Sequence, residues 1–538
     1  MYQLRRTILI IFFVCAHLFW IACSNISQKK ADAPLADKIL TGQNPKDISL
    51  QGNFSDQTAM RFDSTQINLF VNKYSLFKPL QDDIQKFYQS RRYAYAWYDG
   101  KGMIEQADNL YNKILNISEE GLSETTLYKD SLMRIFDDDP SIRNPENELM
   151  LTAQYFDYAN KVWGGISEKE TRSLKWFIPR KKMDAVALMD SLIKDTSSYF
   201  IKKGYSHRQY DLLKKYLKRY RELVQTNDWP EIKTVTKLFR KGDSSQTIIA
   251  IRHRLNLLGD LADNSSSSFF DQEMEDAVKN FQSRFGMIES GIVDKELLAQ
   301  LNVRPDKYIR QIIVNMERCR WVPNQLDGDY LIVNIPSFTL YAYEKDSLIF
   351  SMKVVVGKTV HKTVIFNGDL KYIVFSPYWN VPPDIMKKEI LPGIKKDPNY
   401  LKKHNMEWNG KSVRQKPGPD NSLGLVKFLF PNEYHIYLHD SPAKNLFNEN
   451  VRAFSHGCIR VANPKKLASY LLRKDPGWTE ARIDRAMKSG KEQYVTLKDK
   501  VPVFVAYLTA WVDRTGRLNL RRDIYTRDDR LEAMMLKD

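Results

Sequence analysis

The chain has 538 residues, 43% of them hydrophobic and 27% charged, which is the balance of soluble globular protein spread over more length than one core fills, so about two to four domains are expected. The net charge of +17 suits a partner such as nucleic acid, an anionic membrane or an anionic polymer. No nucleic-acid-binding motif is present, so nucleic acid is not read as a partner, and part of the charge is read as solvated helix surface.

The N-terminus sets the compartment. Arg5 and Arg6 precede a near-continuous apolar run over residues 7–22, the pattern of an export signal. Ile21-Ala22-Cys23-Ser24 resembles a lipoprotein processing site with Cys23 as the lipidated residue, although Trp20 stands where leucine is usual. The alternative is an uncleaved anchor, for which the run is short. Either way the body is expected in the periplasm, attached to a membrane. Residues 24–64 are polar, with little periodicity, and read as a tether.

Residues 65–230 read as mostly helical. Leu110, Ile114 and Ile117 fall on one helix face, and Gly121 marks its end. Trp97, Tyr98 and Asp99-Gly100 make an aromatic turn that reads as core rather than binding site. Residues 231–303 read as three short helices: Ile248, Ile251 and Leu255 form one stripe, Ala277, Val278, Phe281 and Phe285 a second, and Asp294 caps the third. Residues 304–325 read as a helical linker. From Tyr330 strands dominate, as in Leu331-Ile332-Val333-Asn334-Ile335 and Ser351-Met352-Lys353-Val354-Val355-Val356-Gly357, at intervals that suit a β-sandwich or barrel. Residues 383–422 interrupt that pattern with a charged, helix-forming insertion and a Lys-, Pro- and Gly-rich loop. A helix opens at Asn463-Pro464, residues 501–506 form a late strand, and residues 514–538 are a basic tail with no evident chemistry. The fold class is therefore multidomain α+β.

Residues 434–463 hold the chemistry. Ile436 and Leu438 alternate with His435, Tyr437 and His439, so the stretch reads as a strand, ended by Asp440-Ser441-Pro442. The chain then returns as Ser455-His456-Gly457-Cys458-Ile459-Arg460-Val461. A cysteine attacks as its thiolate, and a nearby histidine supplies that by taking the proton. A zinc site built from His435, His439, His456 and Cys458 is the rival reading, but the spacing fits no zinc pattern and no Cys-x-x-Cys is present. The plainer alternative is a buried cysteine with hydrogen-bonded histidines.

Ser455-His456-Gly457-Cys458-Ile459-Arg460, preceded by His439, resembles the signature of the L,D-transpeptidase (YkuD-type) catalytic domain. Asn315-Met316-Glu317-Arg318, Tyr378-Trp379-Asn380-Val381-Pro382, Val413-Arg414-Gln415-Lys416-Pro417-Gly418 and Trp511-Val512-Asp513 extend the resemblance to the large multidomain Gram-negative form, from about residue 65 to about 528. It implies a helical scaffold domain over 65–230, a peptidoglycan-binding-like domain over 231–303 (a ligand-free bundle being the alternative), a catalytic domain over 326–513, and a mobile cap over 383–422. The implied reaction is acyl transfer without metal or organic cofactor: a thioester on Cys458, release of D-alanine from a tetrapeptide stem, and a 3-3 crosslink to a diaminopimelate amine. Hydrolysis of the same bonds and non-catalytic wall binding are the alternatives. Carbapenem-type inhibitors are expected to acylate Cys458.

Roles follow. His439 is the expected base, Ser455 the group that orients its ring, and the N–H groups of Gly457 and Cys458 the oxyanion donors. Arg460 shares the face of Cys458 and either pairs with a substrate carboxylate or forms a structural ion pair. Tyr437 lines the acyl site, Trp379 forms a pocket wall or core, and His456 supports the motif. Cys319, the other cysteine of the mature body, reads as a buried apolar residue, with Cys458 as the reactive thiol.

Overall fold

The computed structural model describes residues 59–536 except 138, 140–141, 181–183, 185, 187–188, 190–206, 264 and 323–327. Cys23, the export signal and most of the tether therefore lie outside the described residues. Among the described residues no helix is long and apolar enough to cross a membrane.

The N-terminal helical part is built round the Pro145–Ala159 helix, which is buried on nearly every face. Asn144 caps it through a bond from Asn147 N–H, and Pro145 occupies the first turn, where its missing N–H costs nothing. Its buried Glu148 accepts the N–H groups of Ala96 and Trp97 and the Tyr88 hydroxyl, while Thr152 accepts Trp97 Nε1 at 2.8 Å. The aromatic turn at 96–98 is thus core, bolted to one helix. Burial holds the Glu148 carboxyl up at about 7.

The next unit packs the helices Gln246–Leu258, Gln272–Phe285 and Lys295–Leu301 against Arg208–Thr226. Asp271 and Asp294 cap two of them, and Gly259 and Gly286 end two in the left-handed region.

The Pro305–Trp321 helix, expected as a linker, packs against both cores it joins. Ile312, Met316 and Cys319 face the helical core, whereas Val314 and Trp321 face the β core. At its end Glu317 accepts Ile166 N–H (2.7 Å), Trp321 Nε1 (2.8 Å) and Arg320 (2.6 Å). Arg320 in turn donates to the carbonyls of Val162 and Glu120. Breaking one partner of a fully buried ion pair strands the other charge. Glu317→Ala should therefore cost about 3–5 kcal/mol, read as a lower urea midpoint.

The C-terminal part is a closed mixed barrel. Its strands are β1 Asp329–Asn334, β2 Thr339–Glu344, β3 Ser347–Gly357, β4 Phe366–Phe375, β8 Val426–Leu429, β9 Leu438–His439, β11 Ile459–Val461 and β12 Gln493–Ala506, in the order β3-β11-β9-β8-β4-β12-β1-β2, with β2 pairing back onto β3. Closure leaves no open edge along this circuit. β10, Ala453–Ser455, pairs parallel with the far end of β3. Alternate residues such as Val354, Val356, Ile373, Val426, Phe428, Leu438, Ile459, Val461, Val503 and Val505 fill the core.

Residues 383–422, expected as a helical cap, are only partly helical. Three strands, β5 Trp379–Asn380, β6 Met406–Asn409 and β7 Ser412–Gln415, form a separate sheet. Helical turns over 383–396 lie against it round Val381, Met386, Ile390 and Val413. The insertion has its own small core.

Residues 514–536, expected as a basic tail, are packed against the body. β13 Ala510–Val512 and β14 Leu518–Leu520 form a hairpin in the helical core. Asp528 pairs with Arg318 at 2.7 Å, and Tyr525 and Leu531 are buried in the barrel core. Leu518 and Leu520 point into the core and even Arg527 is buried, a packing that a basic composition hides.

Candidate active site

The thiol sits on a turn between β10 and β11. Gly457 has φ of +122°, and a Cβ there would meet nothing within 4 Å. Backbone angle rather than lack of space requires glycine. Ser455 Oγ donates to the Cys458 carbonyl at 2.5 Å and accepts Gly457 N–H at 3.1 Å. On the far side Thr363 Oγ1 donates to the Gly457 carbonyl and accepts Gly357 N–H, both at 2.9 Å.

β11 runs parallel to β9, with Ile459 opposite Leu438 and Arg460 opposite His439. Ile459 N–H bonds the Tyr437 carbonyl at 3.1 Å. Cys458, Arg460, Tyr437 and His439 therefore share one face, and the Tyr437 and His439 rings lie 5.7 Å apart. The Cys458 thiol donates to the His435 carbonyl at 3.6 Å, and the Tyr437 backbone and phenol also contact it.

His439 is 4% exposed. Its Nδ1 faces the Asp440 carbonyl, and the Leu423 carbonyl is a second partner of the ring. Those carbonyls favour imidazolium, but burial, followed by the Arg460 charge, outweighs them and pulls the ring down to about 3. Burial pushes the Cys458 thiol up, while Tyr437 and Arg460 draw it back. At neutral pH the pair rests as thiol and neutral imidazole.

Two consequences have a definite sign. An unfolded histidine titrates near ~6.5, above the folded ring. Stability from the neutral ring is thus fully present above that value and lost as pH falls toward 3. For the thiol, alkylation of Cys458 by iodoacetamide should climb about tenfold per pH unit between about pH 6 and 8 without a plateau. A plateau below neutral pH would mean a preformed thiolate.

Asp440 is the pivot. Its carboxylate accepts Leu425 N–H at 2.9 Å, Ser441 N–H at 2.7 Å and the Lys444 ammonium. It thereby ties the exit of the insertion to the strand that carries His439. Gly424 turns that exit at φ +61°, against Asp440.

Several sequence expectations change here. Ser455 does not orient the imidazole: its hydroxyl is committed to the thiol turn, and main-chain carbonyls orient the ring. The Gly457 N–H is taken by Ser455 Oγ. Trp379 packs on the insertion core rather than forming a pocket wall. His456 lies outside the thiol pocket, with Nε2 at 3.5 Å from Glu389 of the insertion and its ring 5.0 Å from that of His361. The strand begins at Leu438, because Asn432 Oδ1 captures the N–H groups of Tyr434 and Ile436. Arg460 makes no structural ion pair among the described residues, and its buried Nε has no hydrogen-bond partner there. Cys319 is buried in the helical core. Among the described residues no group of three His, Cys, Asp or Glu side chains is placed to hold a metal ion.

Beside Tyr437 and His435 opens a cavity of about 310 Å³ lined also by Tyr372, Phe430, Ile436 and Tyr494. Tyr437 joins this mostly apolar cavity to a strand face that offers a nucleophile, a neutral proton acceptor and an arginine whose buried Nε has no hydrogen-bond partner among the described residues.

Comparison with known proteins gives three matches along the chain. Residues 328–483 match the YkuD family, described as "L,D-transpeptidase catalytic domain". Residues 82–217 match a "Scaffold domain" and 244–301 a "Putative peptidoglycan binding domain". A "Putative L,D-transpeptidase" of Haemophilus influenzae is 36% identical over 240 residues, which are 41% of this chain and 48% of that protein, so the match spans about half the relative's length. Among solved structures, an L,D-transpeptidase of Xylanimonas cellulosilytica (residues 123–326) is 14% identical, covering 51% of this chain and 100% of that one, with a TM-score of 0.18. One of Stackebrandtia nassauensis is 15% identical, covering 51% and 97%, with a TM-score of 0.22.

Proposed function

We propose that this chain, which carries an L,D-transpeptidase catalytic domain beside scaffold and peptidoglycan-binding domains, forms 3-3 crosslinks between diaminopimelate-containing stem peptides of peptidoglycan. The observation that carries the reading is the shared face of Cys458, His439, Tyr437 and Arg460 on adjacent parallel strands.

In this reading a χ1 rotation turns the thiol from the His435 carbonyl to the imidazole. Sγ attacks the donor amide carbonyl as its proton passes to His439. The oxyanion is met by the Cys458 N–H. Collapse forms the thioester, and the departing D-alanine nitrogen takes the proton from His439. The acceptor amine then attacks, gives its proton to His439 and regenerates the thiol. Arg460, with its unpartnered Nε, receives a substrate carboxylate, and the Tyr437 cavity receives the acyl side chain. The insertion works as a cap over this site, touching the thiol turn through Glu389 and His456.

The peptidoglycan-associated domains support a location at the cell wall or in the periplasm, and lipid on Cys23 is proposed as the tether. Incubation with purified muropeptides, with products identified by mass, tests the activity. Dimers with D-alanine release are expected. Monomers shortened by water addition would make it a hydrolase, and unchanged input a binding protein.

A further inference from the structure

A second cavity, of about 520 Å³, lies on the other side of His456. Four separate stretches wall it: Leu174 and Lys175 from the helical part, residues 359–362 and 364 between β3 and β4, His456 of the thiol turn, and Tyr525, Arg527 and Arg530 from the C-terminal segment. Lys175, Lys362, Arg527 and Arg530 all line it, together with His361 and His456.

Three of these cations are held by main-chain carbonyls. Lys362 Nζ donates to Tyr525 O at 2.8 Å, Arg527 Nη1 to Leu174 O at 2.6 Å and Arg530 Nη2 to Ser173 O at 3.4 Å. Carbonyls orient a cation without neutralising it. Among the described residues no carboxylate lines the cavity: Asp523, which offsets part of the charge, accepts from the Tyr507 hydroxyl and the N–H groups of Arg527 and Asp528, Asp528 pairs with Arg318 and accepts from Thr509, and Glu389 reaches His456 at 3.5 Å. Arg527 is 8% exposed, and its Nε is buried with no hydrogen-bond partner among the described residues. A buried charged donor left unmatched is costly unless something fills the place. Burial and the charge of Arg527, with smaller contributions from Arg530 and Lys175, lower the Lys362 ammonium against the pull of Asp523, as expected where like charges face one space. Lys175 and Thr526, at φ +57° and +52°, hold the rim in a backbone region that non-glycine residues adopt at a cost.

The floor leads to the thiol. Tyr525 OH donates to the Gly357 carbonyl and accepts Thr363 N–H, and Thr363 holds the Gly457 carbonyl.

We propose that this cavity is an oxyanion-binding subsite that takes a carboxylate or phosphate group of an anionic polymer strand beside the Cys458 turn. It assigns part of the +17 charge to a place, and it stands independently of the acyl-transfer reading.

The test is calorimetric titration of the full chain at low salt, where screening is weak, with inorganic phosphate and with triglutamate as probes. Wild type and Cys458→Ala should bind at least one probe saturably and alike. Lys175→Glu/Arg530→Glu, which alters two exposed side chains and should leave the circular dichroism spectrum unchanged, should weaken that binding by about tenfold or more. Phosphate alone binding identifies a phosphate subsite, and triglutamate alone a carboxylate subsite. No saturable binding of either probe, an affinity in the double variant within about twofold of wild type, or loss of binding in Cys458→Ala would overturn the proposal.

Discussion

Cys458→Ala should bring crosslink formation below detection while the protein keeps its melting temperature. The turn that holds residue 458 is built from Ser455 Oγ, Thr363 Oγ1 and main-chain groups, none of which involves the thiol. The thiol itself makes a long contact to the His435 carbonyl and touches the Tyr437 backbone and phenol, none of which fastens the turn, so its removal costs little. With no sulfur there is no acyl-enzyme, and a carbapenem should add no mass to the variant. Cys319→Ser is the control. It puts a hydroxyl into the helical core, where Cys319 is 2% exposed, and should cost about 1–3 kcal/mol of stability while turnover and the adduct on Cys458 persist. An adduct on Cys319, or turnover in Cys458→Ala, would move the nucleophile elsewhere.

Gly424→Ala should be nearly as damaging to turnover, although Gly424 touches no reacting atom. At φ +61° its Cβ would stand 2.4 Å from the Asp440 carboxylate and 2.5 Å from Asp440 Cβ, closer than atoms pack. Asp440 must move, and its carbonyl is the partner of His439 Nδ1. Displacing an imidazole by about an ångström is enough to cost on the order of a hundredfold in rate. The signature of this positioning role is a fall in kcat with little change in KM, and iodoacetamide alkylation of Cys458 close to wild type. Loss of alkylation in step with turnover would mean that the whole turn had collapsed instead.

The sequence and the structure part company where side chains and backbone exchange roles. The neighbourhood of His439 and Cys458 was legible, because the one lies on a short apolar strand and the other on the glycine turn that opens the next, in one turn-bounded window. The partner of His439 was not, because it is a carbonyl, and every residue carries one. Ser455 was the nearest hydroxyl in the chain, but proximity along the sequence does not say which way a hydroxyl points. The barrel was legible in its alternating strands, but its closure rests on β2 returning to β3. The Pro305–Trp321 helix read as a connector because a helix apolar on opposite faces shows no single stripe. Gly424 carried no visible signal beyond a glycine in a loop, since its constraint is set by Asp440, far along the chain.

The order in which the parts are made has a bearing on when the thiol becomes dangerous to its surroundings. Tyr525 leaves the ribosome well after Cys458, yet its hydroxyl and Thr363 are what fasten the Gly457 carbonyl. Arg318, made long before, waits for Asp528. A nascent chain therefore carries its cysteine through synthesis on an unfastened turn and acquires a shaped site only when its late residues dock. Chains broken off before Tyr525 would carry the thiol on an incompletely fastened turn.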